Sequence, residues 1–331
     1  MQEFMENDSP WLQIFIMSAN QFVHKAMDIF ISAANRGDLE PRRANAYIKE
    51  ILHIILFYGQ INCPKVDPVD ILQGNTDLLL RCFPDVFERC RTHLPTRPPF
   101  TVLLDAIVDI VGRRQEQSVL EFLLLQINEM EVPNAGNGLC KNIFVSAVVN
   151  FCYFNDEATG LRRENYFGAS VTCAGSTQRK IMIDILCYQT WQRDISWAVC
   201  IGNRYNRNAF TFPCQVHSMA FNIYTRGEST HGPIARRAPC QKCFIMFPDI
   251  EFELRPPEDE HIFWEYGNCA EYESLSQLLN SHPEIASRLH RNRFAIGHEE
   301  LLTAKYERLE YNLQELQFEY GHEFSFYNSQ L

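Results

Sequence analysis

Several common signatures are missing from this 331-residue chain. It has no P-loop, no glycine-rich dinucleotide fingerprint and no G-x-S-x-G elbow, which removes the loops that cradle nucleotide phosphates or expose a serine nucleophile. No run of about 18 apolar residues occurs, so no transmembrane helix is expected. The start, Met1-Gln2-Glu3-Phe4-Met5-Glu6, lacks a basic segment and an apolar core and predicts no secretion signal. A cytoplasmic or nuclear location is the resulting expectation. Positive charge is scarce as well: 30 Lys and Arg stand against 41 Asp and Glu, a net charge of −11. Such a chain is a poor non-specific binder of phosphate backbones. A nucleic-acid partner would need a local basic patch, for which Arg226, Arg236, Arg237 and Lys242 are candidates, or the substrate is small. A solvated loop with scattered charges accounts for the same four residues.

What is present is globular. Hydrophobic residues make up 46% and charged residues 21%, enough apolar surface for a core and length enough for two domains. The 12 cysteines are spread along the chain, several inside apolar runs (Cys152, Cys187, Cys200), and read as reduced thiols. Residues 1–132 read as an all-α domain. Trp11–Asn35, Ala44–Phe57, Phe100–Val111 and Gln117–Met130 carry apolar residues at helical spacing, and Ile71–Phe87 holds shorter helices punctuated by Pro84. This domain shows no catalytic motif and reads as a packing or partner-binding module.

Pro133-Asn134-Ala135-Gly136-Asn137-Gly138 concentrates turn residues and marks a boundary. Residues 139–331 then alternate strand and helix signals, which predicts an α/β layer architecture. Strands are expected at Ile143–Phe154, Tyr166–Ala174, Ile195–Ile201 and Ile250–Leu254. Helices are expected at Thr177–Trp191, Glu271–Leu279 and Glu299–Glu319; the last is acidic and amphipathic, a second candidate surface for a protein partner.

Three elements carry chemistry. Pro239-Cys240-Gln241-Lys242-Cys243 is a P-C-x-x-C, a thiolate pair able to grip one metal ion where the backbone turns into a helix. Upstream lies Cys214-Gln215-Val216-His217-Ser218-Met219, with His217 as a possible ligand. Downstream, Asn268-Cys269-Ala270-Glu271 opens a helix. His231 and Cys173 read as loop and core residues, and His261, in Glu258-Asp259-Glu260-His261, as part of a solvated loop.

From about Ile143 to Leu279 the chain resembles the cytidine deaminase superfamily, whose signature is H-x-E followed by P-C-x-x-C. Asn208-Ala209-Phe210-Thr211-Phe212-Pro213 is similar to the Asn-Ala-x-Tyr-Pro loop of its nucleoside branch, which would make Asn208 a substrate-binding residue. The resemblance implies a mixed sheet with flanking helices whose N-termini gather a Zn2+ site, and hydrolytic deamination of a cytosine-type base or nucleoside. No membrane partner is implied. Two placements compete. In one, His217, Cys240 and Cys243 hold zinc; Met219 occupies the position of the catalytic glutamate, and Glu271 would reach the site from the next helix. In the other, the order is permuted: Cys240, Cys243 and Cys269 are ligands and Glu271 is the ordinary proton carrier. A third reading closes His217, Cys240, Cys243 and Cys269 into a structural site without catalysis, leaving a binding or scaffold module.

Overall fold

The computed structural model describes residues 10–134, 138–155, 160–223, 234–257 and 264–329. Arg226, His231, His261 and part of the Pro133–Gly138 boundary lie outside the described residues. The chain is mixed α/β with a helical N-terminal region.

That region follows from its amphipathic periodicity. α1 (Pro10–Arg36) and α2 (Pro41–Gln60) pack side by side, burying Phe15, Phe22 and Phe30 from one and Ile51, Ile55 and Phe57 from the other. The short α3 (Pro68–Leu72), α4 (Thr76–Cys82) and α5 (Pro84–Arg89) cover their ends. Prolines open several of these helices at the first turn, where a missing N–H costs nothing. A two-residue strand β1 (His93–Leu94) leads to α6 (Pro99–Val111) and α7 (Glu116–Asn128). None of the helices is long and apolar enough to cross a membrane, among the described residues.

A small hairpin, β2 (Val132–Asn134) with β3 (Gly138–Cys140), links to the sheet. The main sheet has five strands: β4 (Val148–Phe154), β5 (Tyr166–Ala169), β7 (Val216–Asn222), β8 (Ala235–Arg237) and β9 (Glu251–Phe252). Its order is β5-β4-β7-β8, with β9 beside β7 as the only parallel pairing in that sheet among the described residues. A two-residue β6 (Phe210–Thr211) pairs instead with β10 (His290–Arg291). The helices of this part are α8 (Ser176–Ile185), continued by a π-helical turn Leu186–Thr190, then α9 (Arg193–Tyr205), α10 (Gln241–Met246), α11 (Ala270–Ser281), α12 (Pro283–Ser287) and α13 (His298–Glu315). α13 turns Leu309 and Leu313 onto α8 and α9. A final strand β11 (Ser325–Phe326) returns to pair with β1, and Tyr327 stacks on the buried ring of His53 at 4.0 Å.

Three expectations are corrected. Ile195–Ile201 is the middle of α9, not a strand: Ile195 through Gly202 are all buried, and an apolar run buried on every side has no period that separates helix from strand. Gln192 caps this helix by accepting from Asp194 N. His217 lies on strand β7, not on a helix, because Val216, Ser218 and Ala220 alternate inward with period two. The sheet itself is mixed but mostly antiparallel among the described residues. The Ile143–Phe154 strand begins only at Val148. Ahead of it, Asn142 Oδ1 accepts from Phe144 N and turns the chain, so that Phe144 plugs among Phe15, Phe22 and Tyr58 of the helical region.

Candidate metal centre

Cys240 and Cys269 are both N-cap residues. Cys240 stands extended before α10 and Cys269 extended before α11. That backbone leaves each side chain free of the helix it precedes. Cys243 is one turn into α10. The three sulfurs lie within 4.8 Å of one another, with Cys240 Sγ and Cys269 Sγ 3.4 Å apart. A tetrahedral ion at a metal–sulfur distance near 2.3 Å sets sulfurs about 3.8 Å apart, so the three residues fit such an ion with small adjustments. Glu271 adds its carboxylate: Oε2 is 3.6 Å from Cys243 Sγ, and the side chain is buried.

The electrostatics suit the same conclusion. The Cys240 thiolate accepts hydrogen bonds from Cys243 and Cys269, which holds its pKa far below that of a free thiol, at about 3. Burial, then the hydrogen bonds to Cys240 and Cys269, pushes Cys243 up; the hydrogen bond to Cys240 pushes Cys269 up. Burial, then the Cys240 charge, pushes the Glu271 carboxyl up to about 7. Three cysteines and a buried carboxyl share this small space, an arrangement that a cation would reorganise by displacing their protons. Tyr272 fits this picture. Its hydroxyl is fully buried without a hydrogen-bond partner, in the same electrostatic neighbourhood as the three cysteines.

α11 is held from two sides. On one, Ser274 Oγ donates to Asn150 Oδ1 at 2.6 Å, and Asn150 Nδ2 donates to Ser218 Oγ at 2.8 Å, tying the helix through β4 to β7. On the other, Glu273 Oε2 accepts from Ala169 N of β5 and from Thr101 Oγ1 of α6. Gly168 lets β5 approach: a Cβ there would meet Ser274 N at 2.4 Å and Ala270 O at 2.5 Å, both backbone atoms. The P-C-x-x-C helix is set by a similar contact, since Gly202 of α9 leaves room for the Tyr266 ring and for Met246 of α10.

A cavity of about 160 Å3 opens over the cluster, lined among others by Cys240, Cys269 and Glu271. Arg237, Trp264 and Asn268 complete its polar wall.

The structure therefore brings together Cys240, Cys243, Cys269 and Glu271. It does not bring His217. The β4–β7 register pairs Tyr153 with His217 at one end of the two strands, while Val148, paired with Asn222 at the other end, lines the cavity. His217 is occupied there: Nδ1 is 3.2 Å from Glu251 Oε2, Nε2 is 3.3 Å from Asn155 Nδ2, and the ring stacks on Tyr153. The ligand role expected for it is corrected accordingly, and the four-ligand Cys3His set with it. Met219 lies on the same strand, so its lack of a carboxylate has no bearing on the cluster. Asn208 is not among the residues lining the cavity; its carbonyl accepts from Asn292 Nδ2 in the loop before β6. In its polar segment, Asn203 and Asn206 instead anchor Tyr266. Residues not singled out as site residues are Trp264, Asn268 and Tyr272. The last two flank the Cys-Ala-Glu on either side, and that adjacency was the available signal.

Comparison with family models, with curated proteins and with solved structures finds no match to this chain.

Proposed function

We propose that this chain is a zinc-dependent hydrolytic deaminase of a cytosine-type base or nucleoside, with Cys240, Cys243 and Cys269 as zinc ligands and Glu271 as proton carrier. The observation that carries the reading is the buried Glu271 carboxylate beside a three-thiol cluster that faces a cavity. Three protein ligands with a fourth position left open are the pattern of catalytic rather than structural zinc. Zinc in such a site acts as a Lewis acid and makes water nucleophilic near neutral pH. Glu271, a buried carboxyl beside the ligands, is placed to accept a proton and return it within one turnover. The amino group protonated through Glu271 leaves as ammonia, and a carbonyl oxygen takes its place. The half-motifs stand in permuted order, P-C-x-x-C before Cys-Ala-Glu, which supports the second of the two placements weighed from sequence.

The same 3.6 Å approach of Glu271 to Cys243 favours one rival: Glu271 as a fourth ligand, closing a structural site in a binding or scaffold protein. Zinc content and cytidine hydrolysis of wild type, Cys240→Ser and Glu271→Gln separate the two. Catalysis predicts about one zinc per chain, lost in Cys240→Ser and kept in Glu271→Gln, with hydrolysis abolished in both. Zinc lost with Glu271→Gln, and no hydrolysis by wild type, supports the scaffold. A zinc-free wild type after metal-replete expression refutes both.

A further inference from the structure

The wall of the cavity narrows what enters it. At about 160 Å3 it is smaller than the roughly 300–1,000 Å3 of pockets that enclose a drug-sized ligand, so it takes one ring and leaves the rest of the ligand at its mouth. Two polar atoms on the wall are buried without hydrogen-bond partners: the Trp264 indole Nε1, a donor, and Asn268 Oδ1, an acceptor. A planar amidine ring presents the complementary pair, an amino group for Asn268 and a ring nitrogen or carbonyl for Trp264.

Arg237 supplies the third point. Its neighbour Arg236 forms an ion pair with Glu253. The Arg237 guanidinium, by contrast, donates to the neutral amide Oδ1 of Asn222 at 3.1 Å, and no carboxylate pairs with it among the described residues. Ala235 and Arg236 are exposed and Arg237 is half-buried, so this edge of β8 forms the mouth of the cavity. A half-buried guanidinium with spare donors prefers a phosphate, which accepts two parallel N–H bonds.

Building on the deaminase reading, we infer that the ligand of this cavity is a free pyrimidine nucleotide, its ring against Trp264 and Asn268 and its phosphate on Arg237. A nucleoside leaves Arg237 without a hydrogen-bonded anion, its charge acting only at longer range on the buried Glu271 carboxylate. A polymer must bring many further phosphates to a chain of net charge −11.

The test is calorimetric binding to zinc-loaded, full-length Glu271→Gln, which holds substrate without turning it over, with zinc content measured on the same sample. The probes are cytidine, cytidine 5′-monophosphate, inorganic phosphate and a cytidylate trimer. The nucleotide is expected to bind at least about ten-fold tighter than cytidine, the scale of one charge-assisted hydrogen-bond pair. Adding Arg237→Gln should remove that advantage and leave cytidine binding within about two-fold, as expected when a partly exposed contact alone is lost. Phosphate alone should bind weakly and the trimer no tighter than the monophosphate. Equal binding of nucleoside and nucleotide with one zinc per chain overturns the nucleotide assignment and leaves the metal reading standing. A nucleotide advantage that survives Arg237→Gln, or a trimer that binds more tightly, also overturns it. A zinc-free sample overturns the catalytic reading and this inference with it.

Discussion

Replacing His53 by phenylalanine should flatten the acid limb of the stability curve. His53 is fully buried in α2, neither ring nitrogen has a hydrogen-bond partner, and its ring lies flat against Tyr327. Burial lowers its pKa from 6.5 to about 3, an effect that the nearby Arg89 backbone offsets only in part. Arg89 and His93 oppose its protonation and Asp85 favours it. Above pH 6.5 the ring is neutral in folded and unfolded chains alike, and its contribution to stability is complete. Below pH 6.5 the unfolded chain takes up a proton that the folded chain refuses. Stability then falls by about 1.4 kcal/mol per pH unit until the folded pKa is reached, or about 2 kcal/mol between pH 6.5 and pH 5. Phenylalanine keeps the stacking and cannot titrate. Urea denaturation followed by tryptophan fluorescence at pH 7.5, 6.5, 5.5 and 5.0 gives the comparison. The difference between the two proteins should grow in favour of His53→Phe by about 2 kcal/mol from pH 7.5 to pH 5. Other titrating groups, the metal cluster included, are common to both and cancel. Parallel curves for the two proteins would refute the reasoning, whatever their offset at pH 7.5.

Three further outcomes follow from packing and charge. Asp184, fully buried, accepts from Arg308 through both oxygens and lies 3.1 Å from Lys305 Nζ, so Asp184→Asn strands a buried ammonium; the expected loss is about 3–5 kcal/mol, read from thermal unfolding, and a loss under about 1 would show the network to be solvated. Gly168→Ala drives a methyl into the α11 backbone and should cost about 1–3 kcal/mol while lowering zinc occupancy, measured by metal analysis; unchanged stability and occupancy would show that β5 does not set α11. Burial raises the Glu273 carboxyl to about 7, so the folded chain keeps a proton that the unfolded chain releases, and stability is lost as pH rises from about 4.5 to 7. Glu273→Gln should therefore gain relative to wild type across that window in denaturant titrations, and a constant difference would contradict the assignment.

Much of the helical region was legible because its signal is periodic. The apolar spacing of Trp11–Asn35 and Phe100–Val111 predicts helices within two residues of α1 and α6. The P-C-x-x-C and Cys-Ala-Glu segments were legible as helix starts for a local reason, a cysteine in cap position followed by good helix formers. What failed depended on contacts distant in sequence. Val199 and Ile201 read equally well as strand or helix until burial on all sides is known. Whether His217 or Cys269 joins the cysteines depends on strand register, since a fixed offset along β4 and β7 sends His217 to the far end of the sheet. A motif lists residue types along a line, while a ligand set is a distance in space. Glu273 was invisible in the same way, because nothing near it in sequence announces Thr101 as its partner.

The pairing of β1 with β11, and of His53 with Tyr327, bears on how this protein is made. The helix that carries His53 emerges from the ribosome well before the ring that covers it, because Tyr327 lies far downstream of His53 in the chain. At about 5–20 residues per second, that interval is on the order of tens of seconds. During it the helical half carries an uncovered groove between α2 and β1, into which a misplaced strand from another nascent chain could insert. Chaperone occupancy during synthesis, more than the thermodynamics of the finished fold, would then govern how much of the chain matures.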